Sequence, residues 1–319
     1  MLELGLNFLL FFLGCVFLYY SSDFLIEKSA LISKSLQISP IIIGATVIAL
    51  GTSLPELLVS LYSIFSPVVK DSSSIVIGNI LGSNIANISL VIGFCVLFYK
   101  LIFEGDILKD LLFILLLGLY ALACLFYQIH ITYLHGIILL LLFIGYIYYL
   151  ISNNKIDKIE KENVSINWLG SIVIIILSII GLALGTELVV KNAIGIANIL
   201  NIDELAISIT ILALGTSLPE LFSCMIAIKN KHYKLLLGNV IGSNVINIVF
   251  VLGFSSLFKE NGLFISADTI KDSLPMIATV FILSHAILIV NYLIKKSIST
   301  LGGIILLILY IYFSYNNLF

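Results

Sequence analysis

Arginine is absent from the 319-residue sequence, so all 16 basic residues are lysines. The usual bidentate clamp for phosphate or carboxylate, built on the guanidinium fork, is therefore excluded. Charge of either sign is scarce, at 11% of residues, with 16 basic against 18 acidic groups and a formal net charge of −2. That balance excludes an electrostatic nucleic-acid binder, which needs a basic face. The four cysteines, Cys15, Cys95, Cys124 and Cys224, stand singly in apolar stretches without a C-x-x-C pair. They read as small core residues, not as disulfides or soft-metal ligands. What is abundant is hydrocarbon: 61% of residues are hydrophobic and the mean hydropathy is +1.19. A soluble domain is roughly 45–50% apolar and about 25% charged, so lipid has to be the solvent. Residues 1–20 carry Glu3 where a signal peptide carries basic residues, and no small-residue cleavage site follows; they are expected to form the first span.

A span needs ~20 mostly apolar residues to cross ~30 Å of hydrocarbon. Ten segments qualify, near 4–22, 40–64, 74–98, 108–127, 131–151, 168–188, 204–228, 235–257, 273–294 and 299–317. The expected fold class is all-α integral membrane. Residues 24–39 mix apolar and charged side chains at helical spacing and are expected to extend the first helix along the interface. Residues 152–167, which contain NNKIDKIEKEN, form the most polar connection and divide the chain into halves 1–151 and 168–319. With the N-terminus outside, only Lys70, Lys191, Lys259 and Lys271 fall on the outer connections; the other twelve lysines lie inside. The positive-inside rule expects this asymmetry. It predicts ten spans, both termini outside, and 152–167 as a cytoplasmic linker.

The chain also repeats itself. ATVIALGTSLPELLVS at 45–60 returns as ITILALGTSLPELFSC at 209–224, and residues 49–57 and 213–221 are identical. GNILGSNIANISLVIGF at 78–94 returns as GNVIGSNVINIVFVLGF at 238–254. Five spans separate equivalent points. Because five is odd, the copies must cross the membrane in opposite directions, as two inverted five-helix repeats. Inverted repeats mark many secondary transporters. Duplication without a transport role would explain the symmetry, but not why the best-preserved segments are the most polar parts of apolar spans.

Each repeat carries Gly-Thr-Ser-Leu-Pro-Glu in the middle of its second span. Proline removes a donor and clashes with the carbonyl one turn earlier. Pro55 and Pro219 should free carbonyls near Gly51, Thr52, Gly215 and Thr216. Bare carbonyls are tolerated at this depth only where they line a cavity. The hydroxyls of Thr52, Ser53, Thr216 and Ser217 add oxygen at the same level. Glu56 and Glu220 are the only acids placed well inside the hydrocarbon, where a centred carboxylate costs at least ~2.5 kcal/mol. In the third span of each repeat, Asn79, Ser83, Asn84 and Asn87 match Asn239, Ser243, Asn244 and Asn247. Ser83 and Asn87 share a helix face, as do Ser243 and Asn247. Interhelical hydrogen bonding is the expected role of Asn84 and Asn244; Gly78, Gly82, Gly238 and Gly242 are expected to permit close helix approach. The inventory is carboxylates, amides, hydroxyls and carbonyls, with no Cys or His expected nearby. Such an all-oxygen set suits hard cations, and Ca²⁺ takes 6–8 oxygen ligands. His285, alone in the ninth span, is expected to be a packed residue.

GTSLPE followed by GN-x-x-GSN-x-x-N, present twice in opposed halves at 45–94 and 209–254, resembles the α-repeats of the sodium/calcium exchangers of the Ca²⁺/cation antiporter superfamily. The resemblance covers nearly the whole chain and is closest to the short prokaryotic members. It implies a multi-pass protein of the prokaryotic plasma membrane, four central cation sites among the second, third, seventh and eighth spans, and a sliding pair made by the first and sixth. Matched by motif, Glu56 and Glu220 become shared acidic ligands. Thr52, Ser53, Thr216 and Ser217 flank them, Asn87 and Asn247 complete the central site, Ser83 and Ser243 add hydroxyls, and Ala49 and Ala213 add carbonyls. The resemblance further implies electrogenic exchange of three Na⁺ for one Ca²⁺, without a cofactor or a required oligomer. Some relatives, potassium-dependent ones among them, have Asp where this chain has Asn247; Asn at both positions implies no potassium requirement.

The nearest rival is a Ca²⁺/H⁺ antiporter of the same superfamily. Those proteins usually carry GN-x-x-E in the third span, where Gly82 and Gly242 stand here. An intramembrane enzyme with Glu56 or Glu220 as general base would need a nucleophile or metal centre and usually an asymmetric site. A passive channel would move Ca²⁺ without a Na⁺ gradient.

Overall fold

The computed structural model describes residues 2–67, 71–153, 167–199 and 214–318. Ala213, the first half of the seventh expected span, most of the linker and the lysines at 70, 155, 158 and 161 lie outside the described residues. The chain is all-helical apart from two short strands. Among the described residues, seven helices are long and apolar enough to cross a bilayer, and a bent pair makes an eighth. Thr300–Leu318 and Leu218–Lys229 occupy the tenth and seventh expected spans.

The first helix, α1 (Leu2–Leu36), is continuous through the charged stretch that begins near Phe24, so the expected extension is part of one helix. At 1.5 Å per residue it is about 52 Å long, well beyond the ~30 Å hydrocarbon core. It ends at Gln37, which has a positive φ of 57°, and Ser33 Oγ donates to Ile38 O at 2.7 Å. Proline then starts the next helix, where its missing N–H costs nothing. This second span is broken: α2 (Pro40–Thr52) and α3 (Leu54–Phe65) meet at 41°. The third span, α4 (Ser72–Phe98), is capped by Asp71, whose side chain accepts from Ser74 N at 3.1 Å. Next come α5 (Leu108–Phe126) and α6 (Tyr133–Asn153), then α7 (Trp168–Ile199), α8 (Leu218–Lys229) and α9 (Tyr233–Ser256). A short α10 (Ala267–Ile270) precedes α11 (Leu274–Lys295) and α12 (Thr300–Leu318).

The helix ends sort into two groups. Strands β1 (Leu101–Ile102) and β2 (Ser297–Ile298) pair antiparallel, joining the connection after the third span to the one before the tenth. Tyr292 Oη donates to Asp106 Oδ1 at 2.9 Å, and Lys229 Nζ to Tyr19 Oη at 3.1 Å, within the same group. In the other group, Ile131 bridges Leu263, Lys259 Nζ donates to Ser72 Oγ at 2.8 Å, and Phe65 packs edge-on against Phe258. Strict alternation of ten spans requires this sorting.

Burial grades inward. The apolar windows of α9 and α4 are 94% and 83% buried, against 28% for α1 and 22% for α6. The third and eighth spans are the core; the outer helices present Phe12, Tyr20, Leu141, Ile144 and similar side chains outward, as lipid-facing surfaces should. Close approach is bought by small residues. A Cβ added to Gly242 would lie 2.4 Å from the Ala45 Cα, and one on Gly14 would lie 2.9 Å from the Gly185 carbonyl oxygen. The first contact seats α9 on α2; the second seats α1 along α7. Gly238 lies equally close to Ile41, whereas Gly78 and Gly82 meet no described residue. The segment equivalent to 41–45, residues 205–209, lies outside the described residues.

Candidate ion-binding site

The proline rule sets the local geometry. Ser53 leaves the helix (φ −85°, ψ 7°), and Ser217 does the same (φ −86°, ψ 2°). Pro55 and Pro219 then fall in the first turns of α3 and α8, beside Glu56 and Glu220. The expected loosening near Gly51 and Thr52 is thus a full break. Each carboxylate sits at a helix N-terminus, where the dipole favours negative charge. Both glutamates are completely buried. The ion pair found among the described residues, Lys28 with Glu27, lies elsewhere, so neither Glu56 nor Glu220 has a basic partner there.

Hydroxyls and amides surround the two acids in a crosswise pattern. Thr52 Oγ1 donates to Asn239 Oδ1 at 3.1 Å, and Thr216 Oγ1 donates to Asn79 Oδ1 at 3.5 Å. The hydroxyls of Thr52 and Ser243 are 3.3 Å apart; those of Thr216 and Ser83 are 3.4 Å apart. Each threonine is therefore held by the third-span residues of the other half. Ser83 and Thr216 flank Glu56, while Thr52, Ser53 and Ser243 flank Glu220. The two carboxylates interact electrostatically with each other.

Asn87 and Asn247 sit where the third and eighth spans widen. Residues Asn87–Ile92 and Ile246–Leu252 form π-helical turns, which recur at functional sites. Nothing in the periodicity of the sequence signalled them. Asn87 Nδ2 donates to Asn244 Oδ1 and Asn247 Nδ2 to Asn84 Oδ1, each at 3.0 Å. Asn84 and Asn244 also bond each other's backbone, which is the interhelical role expected of them.

The oxygens left over define the chemistry. Both Glu56 carboxylate oxygens, Glu220 Oε2, Asn87 Oδ1 and Asn247 Oδ1 are buried and have no hydrogen-bond partner among the described residues. Leaving one buried acceptor unmet costs about 1–3 kcal/mol. Five such acceptors, all hard oxygen, on two carboxyl and two amide groups with no basic partner among the described residues, are what a cation would satisfy.

Three expectations need adjustment. Ala49 O already accepts from Ser53 N at 2.9 Å, while the Thr52 hydroxyl 3.4 Å away has its one proton on Asn239, so one lone pair of this carbonyl is engaged in the helix. A cysteine does stand near: Cys224 Sγ accepts from Asn239 Nδ2 at 3.5 Å, one helical turn from Glu220. The reason is sequence drift between the halves, since Ser60 occupies the matching place and lies 3.4 Å from Asn79 Nδ2. Asn79 and Asn239, which sequence reading left outside the site, are the groups that hold the threonines; their place in the repeated GN pair was the available signal. Among the described residues no cluster of three His, Cys, Asp or Glu side chains is suited to a metal ion, and His285 is buried against Phe281 with Nδ1 2.7 Å from its carbonyl oxygen.

Known proteins resemble this chain along nearly its whole length. A family profile described as sodium/calcium exchanger protein matches residues 6–152 and 170–319. An uncharacterized membrane protein of Methanocaldococcus jannaschii is 38% identical over 263 residues, covering 82% of this chain and 84% of the relative. The sodium/calcium exchanger MaX1 of Methanosarcina acetivorans is 29% identical, covering 96% and 97%. A solved structure of the sodium-calcium exchanger NCX_Mj superposes with a TM-score of 0.79 at 34% identity, covering 97% of this chain and 98% of that one. With the family profile matched along both halves, the chain belongs to the sodium/calcium exchanger family.

Proposed function

We propose that the protein exchanges Na⁺ for Ca²⁺ by alternating access, three Na⁺ for one Ca²⁺, without a requirement for potassium. The observation that carries this reading is the pair of fully buried glutamates that face unpartnered oxygens and lack a basic partner among the described residues. Two carboxylates neutralise one Ca²⁺; with three Na⁺ the same site carries one net positive charge. The exchange cycle then moves one charge across the membrane, and the potential contributes ~2.3 kcal/mol per 100 mV. Glu56, Glu220, Asn87, Asn247, Ser83, Ser243, Thr52, Ser53, Thr216 and Ser217 are assigned to the ions, and so are the carbonyls of Ala49 and Ala213. The halves 1–151 and 168–319 act as inverted repeats around this site, and α1 and α7 slide against it through their small-residue contact. The chain lies in the prokaryotic plasma membrane with both termini outside.

The test is ⁴⁵Ca²⁺ uptake into proteoliposomes with and without internal Na⁺. Uptake should need internal Na⁺, be indifferent to K⁺ as a co-ion, and rise with an imposed inside-positive potential, because three Na⁺ leaving for each Ca²⁺ that enters carry one net positive charge outward. Uptake driven by a pH gradient alone would identify a Ca²⁺/H⁺ antiporter, and indifference to voltage would indicate two Na⁺ per Ca²⁺. For orientation, a cysteine at Asn154 should resist impermeant thiol reagents in intact cells.

A further inference from the structure

The four asparagines of the third and eighth spans form a closed network whose geometry determines which atom each amide presents. Asn84 Nδ2 donates to the backbone carbonyl of Asn244 at 3.1 Å, and Asn244 Nδ2 to that of Asn84 at 3.4 Å. A carbonyl only accepts, so neither amide can turn round without placing oxygen against oxygen. Their Oδ1 atoms are thereby committed to face Asn247 and Asn87. Those two amides must answer with Nδ2, at 3.0 Å each, which leaves their own Oδ1 atoms buried and unpartnered. All four side chains are at most 1% exposed, so water does not compete for these bonds.

We infer that Asn84 and Asn244 are positioning residues that act crosswise: Asn84 orients Asn247 of the other half, and Asn244 orients Asn87. Neither touches the ion. Their role is to sequester the amide nitrogens, so that the site presents acceptors only and needs no reorientation when an ion loses its water. The same bonds clamp the third and eighth spans where they cross, so ligand orientation and helix crossing are held by one set of contacts. This inference rests on the assignment of Asn87 and Asn247 to the ions.

Double-mutant cycles in purified, Na⁺-loaded proteoliposomes test it, read as the apparent KM for Ca²⁺. Asn84→Ala and Asn247→Ala should each raise KM about 10- to 100-fold, the usual cost of losing a ligand's orienting partner. The double variant should be no worse than the weaker single variant within about twofold, because both act through one oxygen. Asn84→Ala with Asn87→Ala is the control: those neighbours on one helix belong to different pairs, and their effects should multiply. Asn244 should show the mirror pattern, coupling to Asn87 and not to Asn247. A purely structural role predicts the same multiplication in every pair, and that result overturns the inference. So does a normal KM in Asn247→Ala. Should Asn84→Ala fail to yield a monodisperse protein, Asn84→Thr refills part of the volume and runs the same cycle. Failure of the exchange reading is separate: it shows as absent Na⁺-driven flux in the unmodified protein.

Discussion

Residues 49–57 and 213–221 are identical, yet the two copies stand differently in the folded protein. Ser53 Oγ donates to Glu220 Oε1 at 3.2 Å, whereas Ser217 Oγ and both oxygens of Glu56 have no hydrogen-bond partner among the described residues. Behind the acids the difference is chemical: Ser60 in one half, Cys224 in the other, each facing the asparagine of its GN pair. The first difference lies between residues of identical local sequence, so it comes from their surroundings or from the conformation. If the halves act as the inverted repeats proposed above, they are inequivalent whenever the protein is open to one side, and the first difference should then exchange between states. The second difference is permanent and persists in every state.

The comparison can be broken at several strengths. The largest effect should come from Glu56→Gln and Glu220→Gln, each of which should abolish Ca²⁺ transport. Glutamine keeps the shape and one oxygen but removes the charge that offsets dehydration of a divalent ion. Near-normal ⁴⁵Ca²⁺ flux in one variant would show that only the other acid holds Ca²⁺.

Ser53→Ala and Ser217→Ala separate conformation from composition. A hydrogen bond to a charged group is worth about 1.5–3 kcal/mol, so removing the Ser53 bond should weaken Ca²⁺ affinity about tenfold in the state described. Ser217→Ala should cost little there. In the oppositely open state the roles should exchange, with Ser217 bound to Glu56. Apparent KM measured in right-side-out and inside-out vesicles checks this; identical ratios from both faces would mean the asymmetry is not tied to access.

The smallest effect should be that of Cys224→Ser. It gives Asn239 the oxygen partner that Asn79 has and makes the two halves alike. Neutral hydrogen bonds differ by ~1 kcal/mol or less, so KM should change by at most about threefold. A much larger change would place Cys224 in contact with the ion.

Much of this was readable beforehand, and for identifiable reasons. Pro55 and Pro219 announce the breaks at Ser53 and Ser217 because a missing N–H acts within one turn. Glu56 and Glu220 stand out because a carboxylate in hydrocarbon demands a function. An interhelical hydrogen-bonding role for Asn84 and Asn244 was expected, but not that they would bond each other's backbone. The π turns at Asn87 and Ile246 were not, since they arise from how two crossing helices fit and leave the hydrophobic pattern unchanged. Nor was the nearness of Cys224, which depends on how α8 turns its inner face toward Asn239.

The linear sequence by itself determined that the chain lives in lipid, where its helices start and break, and which oxygens lie at mid-depth. Composition, proline and the cost of buried charge are local properties, fully present in the order of residues. Only the tertiary structure decided which oxygens are used up and which remain. Thr52 is held by Asn239 rather than by its neighbour Asn79, and Asn247 by Asn84 rather than by Asn87's partner. Those choices depend on where helices from opposite halves cross, and hydrogen-bond partners 160 or so residues apart are set by contact geometry that no local rule encodes.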